Sequence, residues 1–100
     1  MELIKEALTF DDVLLEPQYS DVLPSDVSLD QKLSNKLTLK LPFLSAAMDT
    51  VTESKMAIIM AKLGGIGIIH RNLNISKQLS DVERVKKKNL VVGAAVGSNK

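Results

Sequence analysis

Between residues 43 and 97 the chain alternates three short apolar runs with two segments of helical spacing. Phe43-Leu44-Ser45-Ala46-Ala47-Met48 lacks strict alternation, which suits a strand buried on both faces. A helix is expected next, capped by Thr50 or Thr52 with Glu53 in its first turn, and running to about Leu63. Met56, Ile59, Met60 and Leu63 would form its apolar stripe, and Gly64-Gly65 would stop it. Ile66-Gly67-Ile68-Ile69 reads as the second buried strand. A second helix is expected from a Ser76 cap to about Lys87, burying Leu79, Val82 and Val85 and ending at Asn89. Residues 90–97 then read as a third strand. Strand, helix, strand, helix, strand implies a parallel sheet with right-handed crossovers. The expected class is therefore α/β, as part of a (β/α) barrel or an open sheet, because three such strands with helices on one face do not close a core.

Residues 1–41 are less regular. Asp11-Asp12 and Glu16-Pro17 interrupt the first apolar pieces, and Leu23-Pro24-Ser25-Asp26 reads as a turn. Leu37, Leu39 and Leu41 alternate with Thr38 and Lys40, as in a short strand with one wet face that Pro42 terminates.

Composition removes several functions. The chain has no Cys, which excludes disulfides, thiolate zinc sites and a cysteine nucleophile within it. Lys plus Arg number 13 against 12 acidic residues, too balanced for strong nonspecific nucleic-acid binding. The basic run Lys86-Lys87-Lys88 reads as the solvated end of a helix, where cations suit the dipole. No uncharged stretch reaches the roughly 20 apolar residues of a membrane span. Glu2 and Glu6 do not fit a signal peptide, so a cytoplasmic protein is expected.

In parallel α/β folds ligands gather at the C-terminal ends of strands. Three groups fall there: Met48-Asp49-Thr50, His70-Arg71-Asn72 and Gly97-Ser98-Asn99. Asp49 suits either a ligand hydroxyl or cation, or a helix cap. His70 suits a ligand contact or an ordinary loop hydrogen bond, and Arg71 a phosphate or solvent. Met48 suits a planar ligand or the core. Gly64-Gly65-x-Gly67 follows a helix and enters a strand, the reverse of a dinucleotide-binding loop. Gly93 and Gly97 make no Walker A element, since no Gly-Lys-Ser or Gly-Lys-Thr follows.

Longer motifs add a resemblance. Leu8-Thr9-Phe10-Asp11-Asp12-Val13-Leu14-Leu15, then Asp21-Val22-Leu23-Pro24, then the run from Pro42 to Glu53 resemble the opening of the inosine-5′-monophosphate dehydrogenase family. The likeness continues through Gly64 to Asn72 and again from Leu90 to Gly97. The related guanosine-monophosphate reductases share the Met-Asp-Thr-Val core, with flanks that match less well.

The resemblance implies a (β/α)8 TIM barrel, of which residues 42–100 would supply the first three strands and two helices, with residues 1–41 as an N-terminal arm. It implies a cytoplasmic homotetramer that oxidises IMP to XMP with NAD⁺ through a Cys thioimidate, committing purines to guanine nucleotides, with potassium organising the Cys loop. The nucleophile, the flap Arg and most contacts to NAD and potassium would lie beyond Lys100. Carried onto this sequence, Met48 matches the methionine beside the purine, and Ala46 stands where some members have a Ser near the nucleotide. Asp49, Thr50 and His70 match residues supporting the site. The CBS domain pair that many members insert between the second helix and third strand is absent. The alternatives are a GMP reductase on the same barrel and an inactive N-terminal piece with a structural role. Activity is expected of the complete barrel and not of these 100 residues alone.

Overall fold

A computed structural model describes residues 4–98; Glu2 and Asn99, singled out above, lie outside them. The chain has an α/β fold in which a small hairpin precedes a part-barrel arrangement of strands and helices. Strands β1 (Gln31–Ser34) and β2 (Leu37–Leu39) pair antiparallel, with an irregularity between Lys32 and Ser34. Strands β3 (Leu44–Ser45), β4 (Ile66–Ile69) and β5 (Gly93–Ala94) form a parallel sheet in the order β3-β4-β5. Helix α1 (Ser54–Leu63) joins β3 to β4, and α2 (Ile75–Lys86) leads to β5 through residues 87–92.

The core lies between sheet and helices. Ala57 of α1, Ile69 of β4 and Val85 of α2 are fully buried, with Ile58, Leu73, Val82, Leu90 and Val92 packed around them. Burying a side chain the size of Ile69 or Val85 contributes roughly 1.5–3 kcal/mol. The helix stop at Gly64 is as expected: its φ of 101° is left-handed, and its N–H closes back on Ala61 O. Asn89, at φ 55°, makes the second left-handed turn, after α2 has ended.

Several sequence expectations shift. The first strand pairs only at Leu44–Ser45 and is not buried on both faces, because β3 is a sheet edge and Leu44 is exposed. The third strand pairs only at Gly93–Ala94, since beyond Ala95 the chain leaves the ladder. In α1 the Met56, Ile59 and Leu63 positions are exposed, and Ala57 faces the sheet instead. The cause is Gly67: an added Cβ there would stand 2.5 Å from Ala57 Cα, so helix and strand meet where both residues are small. In α2, Val85 is buried and Val82 half-buried, but Leu79 is exposed and the polar Asp81 is buried. The expected caps also move. Glu53 holds the N-cap position of α1 without a side-chain cap bond, and Asn74, not Ser76, caps α2 by accepting the Lys77 N–H at 2.8 Å. The turn at residues 23–26 is a 3-10 turn over Pro24–Asp26.

Outside this unit the chain is open. Phe10 is 99% exposed, and Leu14, Leu15 and Tyr19 are nearly as bare. The accessible surface is 8912 Å², against roughly 5,600 Å² for a compact monomer of this mass.

Candidate functional site at the C-terminal edge of the parallel sheet

The loops leaving β3, β4 and β5 carry the residues singled out by sequence, and side-chain hydrogen bonds lace them together. The first tie is internal to the β3–α1 loop. The Thr52 hydroxyl, fully buried, lies 2.6 Å from Ala46 O and 2.9 Å from Ser45 Oγ. One hydroxyl proton serves one acceptor, so Thr52 donates along the shorter contact to Ala46 O and accepts from Ser45. The Val51 and Thr52 N–H groups both close on Met48 O, which makes Met48-Asp49-Thr50 a tight turn. This explains why Thr52 does not cap α1: its hydroxyl is turned inward.

The second tie joins the β3 and β4 loops. His70 is 2% exposed. Its Nε2 lies 3.0 Å from Glu53 Oε1, and its Nδ1 accepts the Asn72 N–H at 3.1 Å. Asn72 Nδ2 in turn donates to Asp49 Oδ2 at 3.0 Å. The hydrogen bond from His70, followed by the charge of Lys77, holds the Glu53 carboxyl below its ordinary pKa. The third tie joins the β4 and β5 loops: Gln78 Nε2 donates to His70 O at 3.1 Å and to Ala95 O at 2.9 Å.

The candidate residues thus separate by role. Met48 and Asp49 are exposed at the edge, with Ala46, Thr50 and Arg71 exposed beside them. His70 is gathered into the same network, but both ring nitrogens are engaged by the chain itself. From sequence Glu53 is only a first-turn acid of α1 and Asn72 only a member of a strand-end group, while Gln78 has no reading at all. Gln78 had a signal: it lies four and seven positions before Val82 and Val85, a polar residue on the apolar stripe. An apolar hollow of about 360 Å³ lies elsewhere, between β3 and α1, and is lined by Leu41, Phe43, Leu44, Met56, Met60 and Leu63.

The described residues supply no side-chain metal cluster and no dinucleotide loop of their own. Among them no group of three or more His, Cys, Asp or Glu could hold a metal, and Asp49 already accepts from Asn72. Among the described residues no glycine-rich strand-to-helix turn offers a pyrophosphate cradle. Among the described residues no helix is long and apolar enough to cross a membrane.

The arrangement defines a parallel β/α unit with a polar, hydrogen-bonded edge at the C-termini of its strands, the edge where ligands gather in folds of this class. Residues 7–100 match the family described as IMP dehydrogenase / GMP reductase domain, and the chain belongs to that family. It is 61% identical over 83 residues to an inosine-5′-monophosphate dehydrogenase of Staphylococcus epidermidis, covering 83% of this chain and 17% of that protein. It is similarly 62% identical over 84 residues to that of Aquifex aeolicus (84% of this chain, 17% of the relative). The enzyme of Borreliella burgdorferi is 60% identical over 85 residues (85% and 21%). The chain therefore spans about a fifth or less of the length of these relatives.

Proposed function

We propose that this chain forms the opening of the catalytic barrel of an IMP dehydrogenase, which oxidises IMP to XMP with NAD⁺. The observation that carries the reading is the laced C-terminal edge, in a chain about 60% identical to proteins of that name. In this reading Met48, half-exposed on its tight turn, lies against the purine. Ala46 adds no hydroxyl to the nucleotide contact, and its carbonyl is held by Thr52. Asp49 and Thr50 shape the mouth, and His70 supports it from within, since its nitrogens are already bonded.

The nucleophilic cysteine belongs to the rest of the barrel, as the chain has no Cys of its own, and the flap Arg and most of the NAD and potassium contacts are assigned there by the same reading. When bound, NAD⁺ takes up the hydride; this chain's residues bind and orient. Residues 42–100 form the barrel part, and residues 1–41 the arm. The short 87–92 connection from α2 to β5 supports a barrel without a CBS pair at that point. The uncovered apolar surface supports assembly with the remaining barrel and in a homotetramer; a cytoplasmic location belongs to the same reading.

The test is an assay of the whole product of the gene that encodes this chain. IMP-dependent NADH formation, stimulated by potassium, is the expected result. Oxidation of NADPH with GMP and no turnover of IMP would assign the reductase instead. Neither reaction, from a folded product, would leave the structural role.

A further inference from the structure

In a parallel ladder every second residue of a strand faces a given neighbour, and its carbonyl accepts a backbone N–H from that neighbour. Ala95 N–H donates to Ile69 O at 2.9 Å. The next rung of that ladder would carry the Arg71 N–H to Ala95 O. Ala95 O instead receives Gln78 Nε2 at 2.9 Å. The second hydrogen of the same amide goes to His70 O at 3.1 Å. Two carbonyl oxygens at hydrogen-bond distance fix the amide orientation, because only the NH₂ end can donate to both.

Gln78 stands at the start of α2, which begins at the C-terminal edge of the sheet, and its own N–H is bonded to Asn74 O at 3.1 Å. Its side chain therefore reaches the edge from an anchored backbone. It satisfies two carbonyls that the sheet leaves open and spares Arg71 from the ladder. The chains after β4 and β5 can then part without stranding a part-buried acceptor, which is costly when left unpaired. How far they part is set by one amide.

We propose that Gln78 is a positioning residue for the reaction: it substitutes for a rung of the sheet and fixes the spacing of the loops that leave β4 and β5. This rests on the IMP dehydrogenase reading. Gln78 touches neither substrate nor cofactor in this role. It acts through the His70–Asn72 loop, and through Asn72 on Asp49 of the neighbouring loop.

Gln78→Glu keeps the shape and removes both donors; Gln78→Met removes donors without adding charge. Each is introduced into the gene encoding this chain, and the whole product is assayed with IMP and NAD⁺. Sites are counted by IMP binding and folding is followed by thermal melting. The expected result is a kcat per folded site about tenfold or more below wild type, as a misplaced reacting geometry produces, with KM for IMP within about threefold. A kcat per folded site equal to wild type in either folded variant overturns the proposal. So does loss of folding in both, which would make Gln78 a scaffold residue only. An inactive but folded wild type overturns the enzyme reading itself, a distinct outcome from active wild type with active variants.

Discussion

His70 and Glu53 meet at 3.0 Å through Nε2 and Oε1, across the loops of two neighbouring strands. The Asn72 N–H can only donate, and it points at Nδ1. Nδ1 is therefore the bare nitrogen, and Nε2 carries the proton that Glu53 accepts. Nitrogen NMR of His70 is expected to show the Nε2–H tautomer; an Nδ1–H signal would contradict the contact to Asn72.

The same pair has an acid signature. Glu53 is held below its ordinary value of 4.5, first by the His70 hydrogen bond and then by the Lys77 charge, with burial opposing. Its folded pKa is the lower one, so the unfolded chain binds the proton more readily. The stabilisation is full above the unfolded value and is lost as pH falls through the folded one. Denaturant titrations of wild type and Glu53→Gln should differ most above about pH 5 and converge in acid. A difference that grew on acidification would reverse the sign.

Thr52 is the hub of the first loop. Thr52→Val keeps the shape and removes the hydroxyl that faces Ala46 O and Ser45. Leaving buried partners without it costs about 1–3 kcal/mol. A fall of that size in unfolding free energy is expected by urea titration. Thr52→Ser, which keeps the oxygen, should lose much less.

These residues also show where the sequence was legible. The strand–helix alternation predicted the α/β class because period-3.6 and short apolar runs are local signals, and Gly64 marked a helix end because glycine takes a positive φ without steric cost. The positions of Met48, Asp49 and His70 at strand ends followed from topology. What stayed hidden was set by pairs far apart in the chain. Thr52 has the chemistry of a cap, and only the approach of Ala46 and Ser45 decides that its hydroxyl turns inward. Ala57 outranks Met56 as the buried face of α1 because Gly67 lies opposite. Gln78 bridges carbonyls eight and 17 positions away. The hairpin strand β1 gave no alternation to read, since all four of its residues are exposed.

Gly67 and Gly93 should respond unequally to alanine. A Cβ on Gly67 would lie 2.5 Å from Ala57 Cα and 2.8 Å from Ala57 Cβ, and neither the helix backbone nor a one-carbon side chain can swing away. A Cβ on Gly93 would meet Ile68 Cδ1, the end of a side chain that can change rotamer. Gly67→Ala is expected to cost about 1–3 kcal/mol or more by overpacking, and Gly93→Ala less. Melting temperatures of the two variants in the same background decide it; equal losses would mean that α1 yields as easily as Ile68.

The start of α2 offers a paired test of capping. Asn74 and Ser76 are both cap-forming residue types two positions apart. Asn74 has the extended backbone of a cap, φ −68° and ψ 158°, and its Oδ1 takes the Lys77 N–H. Ser76 lies inside the first turn and is exposed. Removing a true cap costs about 1 kcal/mol, whereas an exposed substitution away from such a feature stays within about 0.5 kcal/mol. Asn74→Ala should therefore lower the unfolding free energy by about 1 kcal/mol, with Ser76→Ala near neutral. Because Gln78 N–H is bonded to Asn74 O, fraying of this turn should also quicken amide exchange at Gln78 in Asn74→Ala. Faster exchange in Ser76→Ala but not in Asn74→Ala would place the cap where the sequence first suggested it.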